Sequence, residues 1–324
     1  MAITVDRTRA ETGLGRVLVS VLARGTGALP RGTAARLGRL VGDCRRATCP
    51  RDVEAVRENL RRLSLSRADG PGARDAEDRL VRETFRAFGL FAIEFFRGLR
   101  ASPPAIVRDW AIEGWSHAEA LAADPRGFIV ASAHTGNWEQ LAALAHPLGR
   151  RIVAPAATQF HPWLSPAIGR AKQRWQIDSV PPDRELRGLL RALALGRLVA
   201  LPLDGGSYRR GVPVRLRGRR VRLPAGAARL AVLSGRPILP VFARRTEAMR
   251  HAVRLSAPIW PSLPPEGRDA TEIRAITQRL ADLLGEHLER TPGQWCIFRA
   301  LDWEDAPAPR PASRPALAAV SGSR

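Results

Sequence analysis

The chain has 324 residues, of which 45% are apolar, and its 52 Lys and Arg residues against 31 Asp and Glu give a formal net charge of +21. This length allows one large domain or two small ones with a substantial core. The three cysteines, Cys44, Cys49 and Cys296, fit no zinc spacing, which argues against a structural zinc site and indicates free thiols.

The positive charge is almost entirely arginine, because Lys172 is the only lysine in the chain. A codon bias towards arginine explains the choice of Arg over Lys, but it does not explain the shortage of acidic residues. The charge therefore favours an anionic partner, which could be a nucleic acid, an anionic lipid leaflet or an acidic carrier protein.

The N-terminal segment contains one early apolar run, residues 17–23, which is shorter than the ~20 residues needed to span a bilayer. Acidic residues precede this run and no clean cleavage pattern follows it, so we expect no signal peptide. Arg16 and Arg24 flank the run. A helix over about residues 12–24 would lie either in the membrane interface or against the domain surface.

Helix and strand patterns alternate after a long amphipathic helix at residues 73–99, which carries a stripe of phenylalanines. We interpret this stripe as core, with an acyl-chain groove or a membrane contact as alternatives. The following segments are predicted as strands: 127–132, 151–157, 198–203, 238–243 and 252–255. The following segments are predicted as helices: 138–148, 166–175, 184–195, 225–233 and 271–289.

This alternation predicts an α/β fold with a mixed central sheet flanked by helices, preceded by an N-terminal helical region. We expect residues 1–70 to form a basic, membrane-proximal helical region and residues 71–305 to form the main domain. The tail at residues 306–324 is predicted to be disordered because it lacks periodicity.

The segment between Ser132 and Glu139 carries the chemistry. His134 follows a buried strand directly, a glycine turn comes next, and Glu139 lies in the first turn of the following helix. Reactive groups of α/β sheets gather at the carboxyl ends of strands. We therefore expect the Glu139 carboxylate to fold back onto the imidazole, so that His134 acts as a general base for a hydroxyl attacking a thioester.

The motif His134-Thr-Gly-Asn137-Trp-Glu139 resembles the bacterial lipid A late acyltransferases and the related phosphatidylinositol mannoside acyltransferases. The resemblance extends in order over about residues 75–303, and Gln294-Trp295 is similar to a Gln-Trp element of that family. It implies a glycerolipid acyltransferase-like fold with His134 and Glu139 as catalytic residues. It also implies substrate-binding roles, which we expect for Asn137, Asp204, Arg170 and Gly226.

Several of these assignments have alternatives. Asp204 would orient the acceptor or hold an arginine, or it is simply a turn residue before Gly205-Gly206. The family's arginine between the histidine motif and the aspartate strand has Arg170, Arg174 and Arg184 as candidates. Gly226 would shape a turn before a helix whose N-terminus could accept a phosphate.

Arg215, Arg217 and Arg219 belong to the densest basic run of the chain. In a strand they would share one face, which could meet phosphates or an acidic carrier, or would simply be solvated.

The sequence thus predicts an O-acyltransferase moving a fatty acyl chain from an acyl carrier protein or CoA thioester to a hydroxyl of a membrane glycolipid, such as a lipid A precursor. A phosphatidylinositol mannoside, a lysophospholipid or another lipid is an alternative acceptor, and a non-catalytic nucleic-acid-binding protein is the alternative from another class. We expect no metal, no cofactor other than the thioester and no nucleic-acid partner. Peripheral or monotopic association with an anionic membrane surface, at the cytoplasmic face of the inner membrane, is predicted.

Overall fold

The computed structural model describes residues 7–65, 72–155, 169, 172–180, 185–205, 211–247, 249–262 and 269–304. The tail predicted to be disordered and most of the helix predicted at residues 166–175 lie outside these residues. The predicted division of the chain at residue 70 stays a prediction.

The helices form an N-terminal layer and a set that covers the sheet. They are α1 (Arg7–Ala28), α2 (Arg31–Thr48), α3 (Pro50–Arg62), α4 (Ala73–Gly98), α5 (Pro103–Val107), α6 (Trp115–Ala122), α7 (Glu185–Ala194), α8 (Gly226–Ser234) and α9 (Asp269–Arg290).

The strands form one large sheet and one small one. They are β1 (Ala111–Glu113), β2 (Ile129–Ser132), β3 (Ile152–Pro155), β4 (Ile177–Val180), β5 (Leu198–Pro202), β6 (Val212–Leu216), β7 (Arg219–Leu223), β8 (Ile238–Glu247), β9 (Arg250–Leu255) and β10 (Asp302–Trp303).

The seven-stranded sheet has the order β1-β9-β8-β2-β5-β3-β4, and all its pairs are parallel except β8 with β9. Its central strands are short apolar runs, as is typical of a parallel sheet whose two faces are both buried. The other sheet is antiparallel, with the order β10-β7-β6. The predicted mixed α/β fold with N-terminal helices is therefore confirmed.

Helix α2 packs on α4 at glycine contacts that leave no room for a side chain. A Cβ atom at Gly42 would overlap the carbonyl oxygen of Phe85, and one at Gly89 would overlap that of Gly38. The two helix backbones consequently touch. Helix α1 also packs on α4, so the basic N-terminal helices form a layer over this long helix.

Helix α3 holds the C-terminal end of the described chain through one buried amide. The side chain of Asn59 donates to the carbonyl of Arg299 at 2.8 Å and accepts from the backbone N–H of Leu301 at 3.0 Å and the indole N–H of Trp303 at 3.2 Å. A buried amide with its hydrogen bonds made fixes the register of the segments it joins.

The phenylalanine stripe on α4 is core, as predicted. Phe85, Phe91 and Phe95 are buried. Phe91 stacks on Trp138, with ring centroids 3.7 Å apart, and therefore supports the segment that follows β2.

The helix predicted at residues 138–148 is a 3₁₀ helix at Gln140–Ala145. Gln140 is held at both of its polar ends, since its backbone N–H donates to the Asn137 side chain and its own side chain donates to the carbonyl of Glu94. These anchors, together with six consecutive buried residues, explain the short tight helix. The strand predictions missed the edge strands β1, β4 and β10. The basic run considered as one strand is instead the antiparallel pair β6 and β7.

Among the described residues, no helix is long and apolar enough to cross a membrane.

Candidate active site

Neighbouring parallel strands bring His134 and Asp204 together. Ser132 at the end of β2 is in register with Pro202 at the end of β5, and the backbone N–H of Leu203 donates to the carbonyl of Ser132 at 2.8 Å. His134 and Asp204 each lie two residues beyond their strand. Their side chains therefore meet at the carboxyl edge of the sheet.

Asp204 binds His134 at two points. Its Oδ1 lies 2.7 Å from the imidazole Nδ1, and its Oδ2 accepts the backbone N–H of His134 at 2.8 Å. The indole N–H of Trp295 donates to the same Oδ2 at 2.8 Å. Asp204 is 0% exposed, and its hydrogen bonds compensate for the burial of its charge.

The electrostatics of this pair favour the charged forms. Burial alone would raise the pKa of Asp204, but the charge and hydrogen bonds of His134 outweigh it and hold that pKa below the ordinary value. Burial would likewise lower the pKa of His134, but the charge and hydrogen bond of Asp204 raise it above 6.5. An ionised Asp204 can only accept, so Nδ1 carries the proton and Nε2 of the neutral imidazole is a base.

Glu139 does not bond to the imidazole, which corrects the sequence prediction. Its Oε2 pairs with Nζ of Lys172 at 2.7 Å, and no hydrogen bond joins Glu139 to His134 within the described part of the chain. Its negative charge nevertheless contributes to the raised pKa of His134. The separation of five residues along the chain suggested Glu139 as the partner of His134. The carboxyl ends of two adjacent parallel strands instead bring Asp204 closer to the imidazole.

The loop that carries His134 is tied to the segment around Trp295. The backbone N–H of Cys296 donates to the carbonyl of His134 at 2.8 Å, and Thr135 forms a β-bridge with Trp295. Gly136 follows with φ of +58°, and a Cβ there would meet the Ala243 carbonyl oxygen at 2.7 Å. Only glycine suits both conditions.

Asn137 points into the protein rather than towards a substrate site, contrary to its predicted role. It is fully buried, and its amide donates to Glu94 of α4 at 3.1 Å. Glu94 is itself paired at 2.9 and 2.8 Å with the buried guanidinium of Arg245. Burial would raise the pKa of Glu94, but Arg245 lowers it, so this buried charge is neutralised and anchors the loop from behind.

A cavity of about 420 Å³ opens beside His134, on the face of the sheet covered by α4 and α6. This is within the usual range for small-molecule sites. Its walls are almost entirely apolar side chains from β2, β3, β5, β8 and the 3₁₀ helix after Glu139. Its polar lining comes from Ser132, His134, Glu139, Lys172 and Ser179, together with the indole of Trp138.

The arginines of the basic run do not share a strand face. Arg215 lies in β6 and Arg219 in β7, whereas Arg217 is in the hairpin turn between them with φ of +50°. Arg217 donates to the carbonyl of Leu63 at 2.9 Å and pairs with Glu289. The prediction of one arginine face is therefore wrong, because Arg217-Gly218 reverses the chain.

A further predicted substrate residue does not contribute to the cavity. Gly226 is the first residue of α8 and does not line it; a Cβ there would meet only Leu201 Cδ1, at 4.0 Å. Arg170 and Arg184 lie outside the described residues.

Lys172 is the residue that sequence reasoning passed over. It lines the cavity and pairs with Glu139, in the stretch where the resemblance called for an arginine. Its being the only lysine in a chain that otherwise uses arginine was the available signal. Glu94 and Arg245 left no such signal, because neither belongs to a motif.

Cys296 is packed rather than reactive. It is buried beneath the His134 loop, and burial raises the pKa of its thiol to about 12. Among the described residues, no three His, Cys, Asp or Glu side chains are grouped as metal ligands would be.

The chain is similar in sequence to known acyltransferases. Residues 9–301 match the family model described as bacterial lipid A biosynthesis acyltransferase. Curated relatives named phosphatidylinositol mannoside acyltransferase are 26% identical over 251 residues in Mycobacterium tuberculosis, covering 75% of this chain and 76% of the relative, and 24% identical over 260 residues in Mycolicibacterium smegmatis, covering 75% and 78%. A crystal structure of the 1-acyl-sn-glycerophosphate acyltransferase PlsC from Thermotoga maritima aligns with a TM-score of 0.38 and 16% identity, over 80% of this chain and 98% of that one.

The chain is an acyltransferase, and it belongs to the bacterial lipid A biosynthesis acyltransferase family. The resemblance found in the sequence is thereby confirmed, and the alternative of a protein without catalytic activity is wrong. Members of this family are membrane-associated lipid acyltransferases, so an acyl thioester donor and a lipid acceptor apply in general.

Proposed function

We propose that this protein transfers a fatty acyl chain from an acyl carrier protein or CoA thioester to a hydroxyl of a membrane glycolipid, with the thioester as its only co-substrate. The observation that supports this most directly is the His134–Asp204 pair, whose imidazole lines an apolar cavity. A general base beside a space suited to a hydrocarbon chain is the combination that acyl transfer to an alcohol needs.

The proposed chemistry starts at Nε2 of His134. This nitrogen takes the proton of the acceptor hydroxyl as the oxygen attacks the thioester carbonyl. Asp204 holds the imidazole in the required tautomer and stabilises its charged form. When the tetrahedral intermediate collapses, the carbon–sulfur bond breaks and Nε2 returns the proton to the leaving thiolate.

Lys172 is the candidate for stabilising the negative oxygen of the intermediate. Its ammonium group lines the cavity, and its side chain is only 20% exposed. Glu139, 11% exposed, would hold it in place through their ion pair. Charged donors fixed in a largely desolvated site stabilise developing negative charge most strongly.

The cavity would hold the acyl chain. Each methylene group removed from water contributes about 0.8 kcal/mol, so chains that fill the cavity would bind more tightly than shorter ones.

A phosphatidylinositol mannoside is the second candidate acceptor, favoured by the curated relatives that carry this name. The lipid A precursor is favoured by the family model. Both are glycolipids that carry hydroxyl groups, so the same base serves either acceptor.

We further propose that the enzyme docks on the anionic inner leaflet of the cell membrane through α1 and α2. Val17 and Val21 of α1 and Leu40 of α2 are exposed apolar side chains in a strongly basic segment. Apolar insertion combined with arginine attraction to anionic headgroups supports peripheral binding.

The test is a transfer assay with purified enzyme. Acyl carrier protein and CoA thioesters of several chain lengths are each incubated with a lipid A precursor, a phosphatidylinositol mannoside and a lysophospholipid, and the products are identified by mass spectrometry. Acylation of a glycolipid would support the proposal and name the acceptor. Acylation of the lysophospholipid alone would overturn the glycolipid assignment.

A further inference from the structure

A basic groove lies at the carboxyl edge of the sheet, on the face opposite the apolar cavity. Phe242 and Arg244 alternate in β8 with Val241, which lines the cavity, so they face the other way. Arg254 of β9 is in register with Phe242. Arg290 at the end of α9 completes a concave surface with a volume of about 360 Å³.

The three arginines of this groove, Arg244, Arg254 and Arg290, have little compensating negative charge. Arg254 approaches Glu113 at 3.8 Å, and both side chains are substantially exposed. No ion pair joins Arg244 or Arg290 to a carboxylate among the residues described. Three arginines that line one concave surface together with a single carboxylate, Glu113, make a surface that attracts phosphate.

The groove is connected to the loop that carries His134. His287 of α9 lines the groove, stacks on Phe242 with ring centroids 5.0 Å apart, and lies 3.0 Å from Oγ1 of Thr135 through its Nε2. Burial, together with the charges of Arg244 and Arg290, lowers the pKa of His287 to about 4. The imidazole is therefore neutral at physiological pH, and both arginines are close enough to influence it.

We propose that this groove, formed by Arg244, Arg254 and Arg290, binds a phosphate group carried by one of the two substrates. The inference rests on the proposed function, because a phosphate occurs both in the phosphopantetheine arm of a thioester donor and in the headgroup of a glycolipid acceptor. The groove and the cavity lie on opposite faces of one sheet edge, with the His134 loop between them. A substrate whose phosphate occupies the groove would reach the base over this edge.

The test is direct binding to the full-length enzyme by ligand-observed NMR titration, without turnover. One arm compares 4′-phosphopantetheine with pantetheine, and the other compares glucosamine 1-phosphate with glucosamine. The groove variant combines Arg244→Gln, Arg254→Gln and Arg290→Gln. The matched control combines Arg187→Gln, Arg191→Gln and Arg229→Gln, three exposed arginines on α7 and α8 that do not line the groove.

In one arm we expect wild type and control to bind the phosphorylated compound about tenfold or more tightly than its phosphate-free counterpart, and the groove variant to lose this preference. The arm that responds identifies the substrate that carries the phosphate. The proposal is overturned if wild type shows no preference in either arm, if the groove variant keeps it, or if the control loses it equally. Because no turnover is needed, an enzyme inactive in the transfer assay but selective here would count against the proposed function alone.

Discussion

The two carboxylates at the catalytic edge lie in different surroundings. Asp204 follows β5, is fully enclosed, and accepts three hydrogen bonds from His134 and Trp295. Glu139 follows β2, lies at the wall of the cavity, and makes its ion pair with Lys172. The difference agrees with the proposed mechanism, in which Asp204 orients the general base His134 and Glu139 positions the ammonium group of Lys172.

Loss of the base should have the largest effect. His134→Ala removes the group proposed to take the hydroxyl proton, and a general base typically contributes about 10²–10⁴-fold in rate. We expect kcat to fall by that factor while circular dichroism and the melting temperature stay close to wild type. A folded His134→Ala enzyme with wild-type turnover would contradict the mechanism.

The second prediction tests the role assigned to Asp204. Asp204→Asn should lower kcat about 10²-fold or more, because the amide can offer its N–H to Nδ1 and thus stabilise the wrong tautomer. The measurement is kcat at saturating concentrations of both substrates. A loss smaller than that of Glu139→Gln would reverse the assignment of the two carboxylates.

The sequence predicted those parts of the site whose residues lie close together along the chain, and it missed those whose residues lie far apart. His134 stood out because a strand, a glycine turn and a helix start surround it within eight residues. Its partner Asp204 is 70 residues away, and only the adjacency of β2 and β5 in the sheet brings the two together. Strand order is a property of the whole chain, so spacing alone favoured the nearer carboxylate of Glu139.

The same reasoning explains the misassigned polar residues. Asn137 belongs to the motif, but its role as an internal anchor depends on Glu94 and Arg245, 43 residues before it and 108 after it. The helices were easier to predict, because α4 and α9 carry amphipathic patterns over more than twenty residues.

The third prediction concerns the cation. Lys172→Met and Glu139→Gln should each lower kcat about 10–10²-fold, and the double variant should lose little more than either one, because the residues act as a pair. Lys172→Arg keeps the charge and should retain more activity than Lys172→Met. If the losses of kcat in the two single variants added up fully in the double variant, Lys172 and Glu139 would act independently and not as an ion pair.

The fourth prediction is a pH profile. Although burial disfavours the charged imidazole, Asp204 raises the pKa of His134, so the base is protonated and inactive at low pH. We expect kcat/KM to rise with pH through an apparent pKa above 6.5. In Asp204→Asn the carboxylate is lost while burial remains, so the midpoint should move to lower pH. If this substitution left the midpoint unchanged, the group that titrates in the pH profile would not be His134.

The smallest effect is expected at the arginine hairpin, which contrasts with the groove on β8 and β9. Arg215 and Arg219 are exposed, lie on two different strands and do not line the cavity beside His134. Exposed charges contribute about 0–1 kcal/mol, so Arg215→Gln with Arg219→Gln should leave kcat and both KM values within about twofold of wild type. Arg217 is left intact because its bonds to Leu63 and Glu289 hold the hairpin. A raised KM for the thioester alone would assign this hairpin to the carrier, and a raised KM for the lipid alone would assign it to the acceptor.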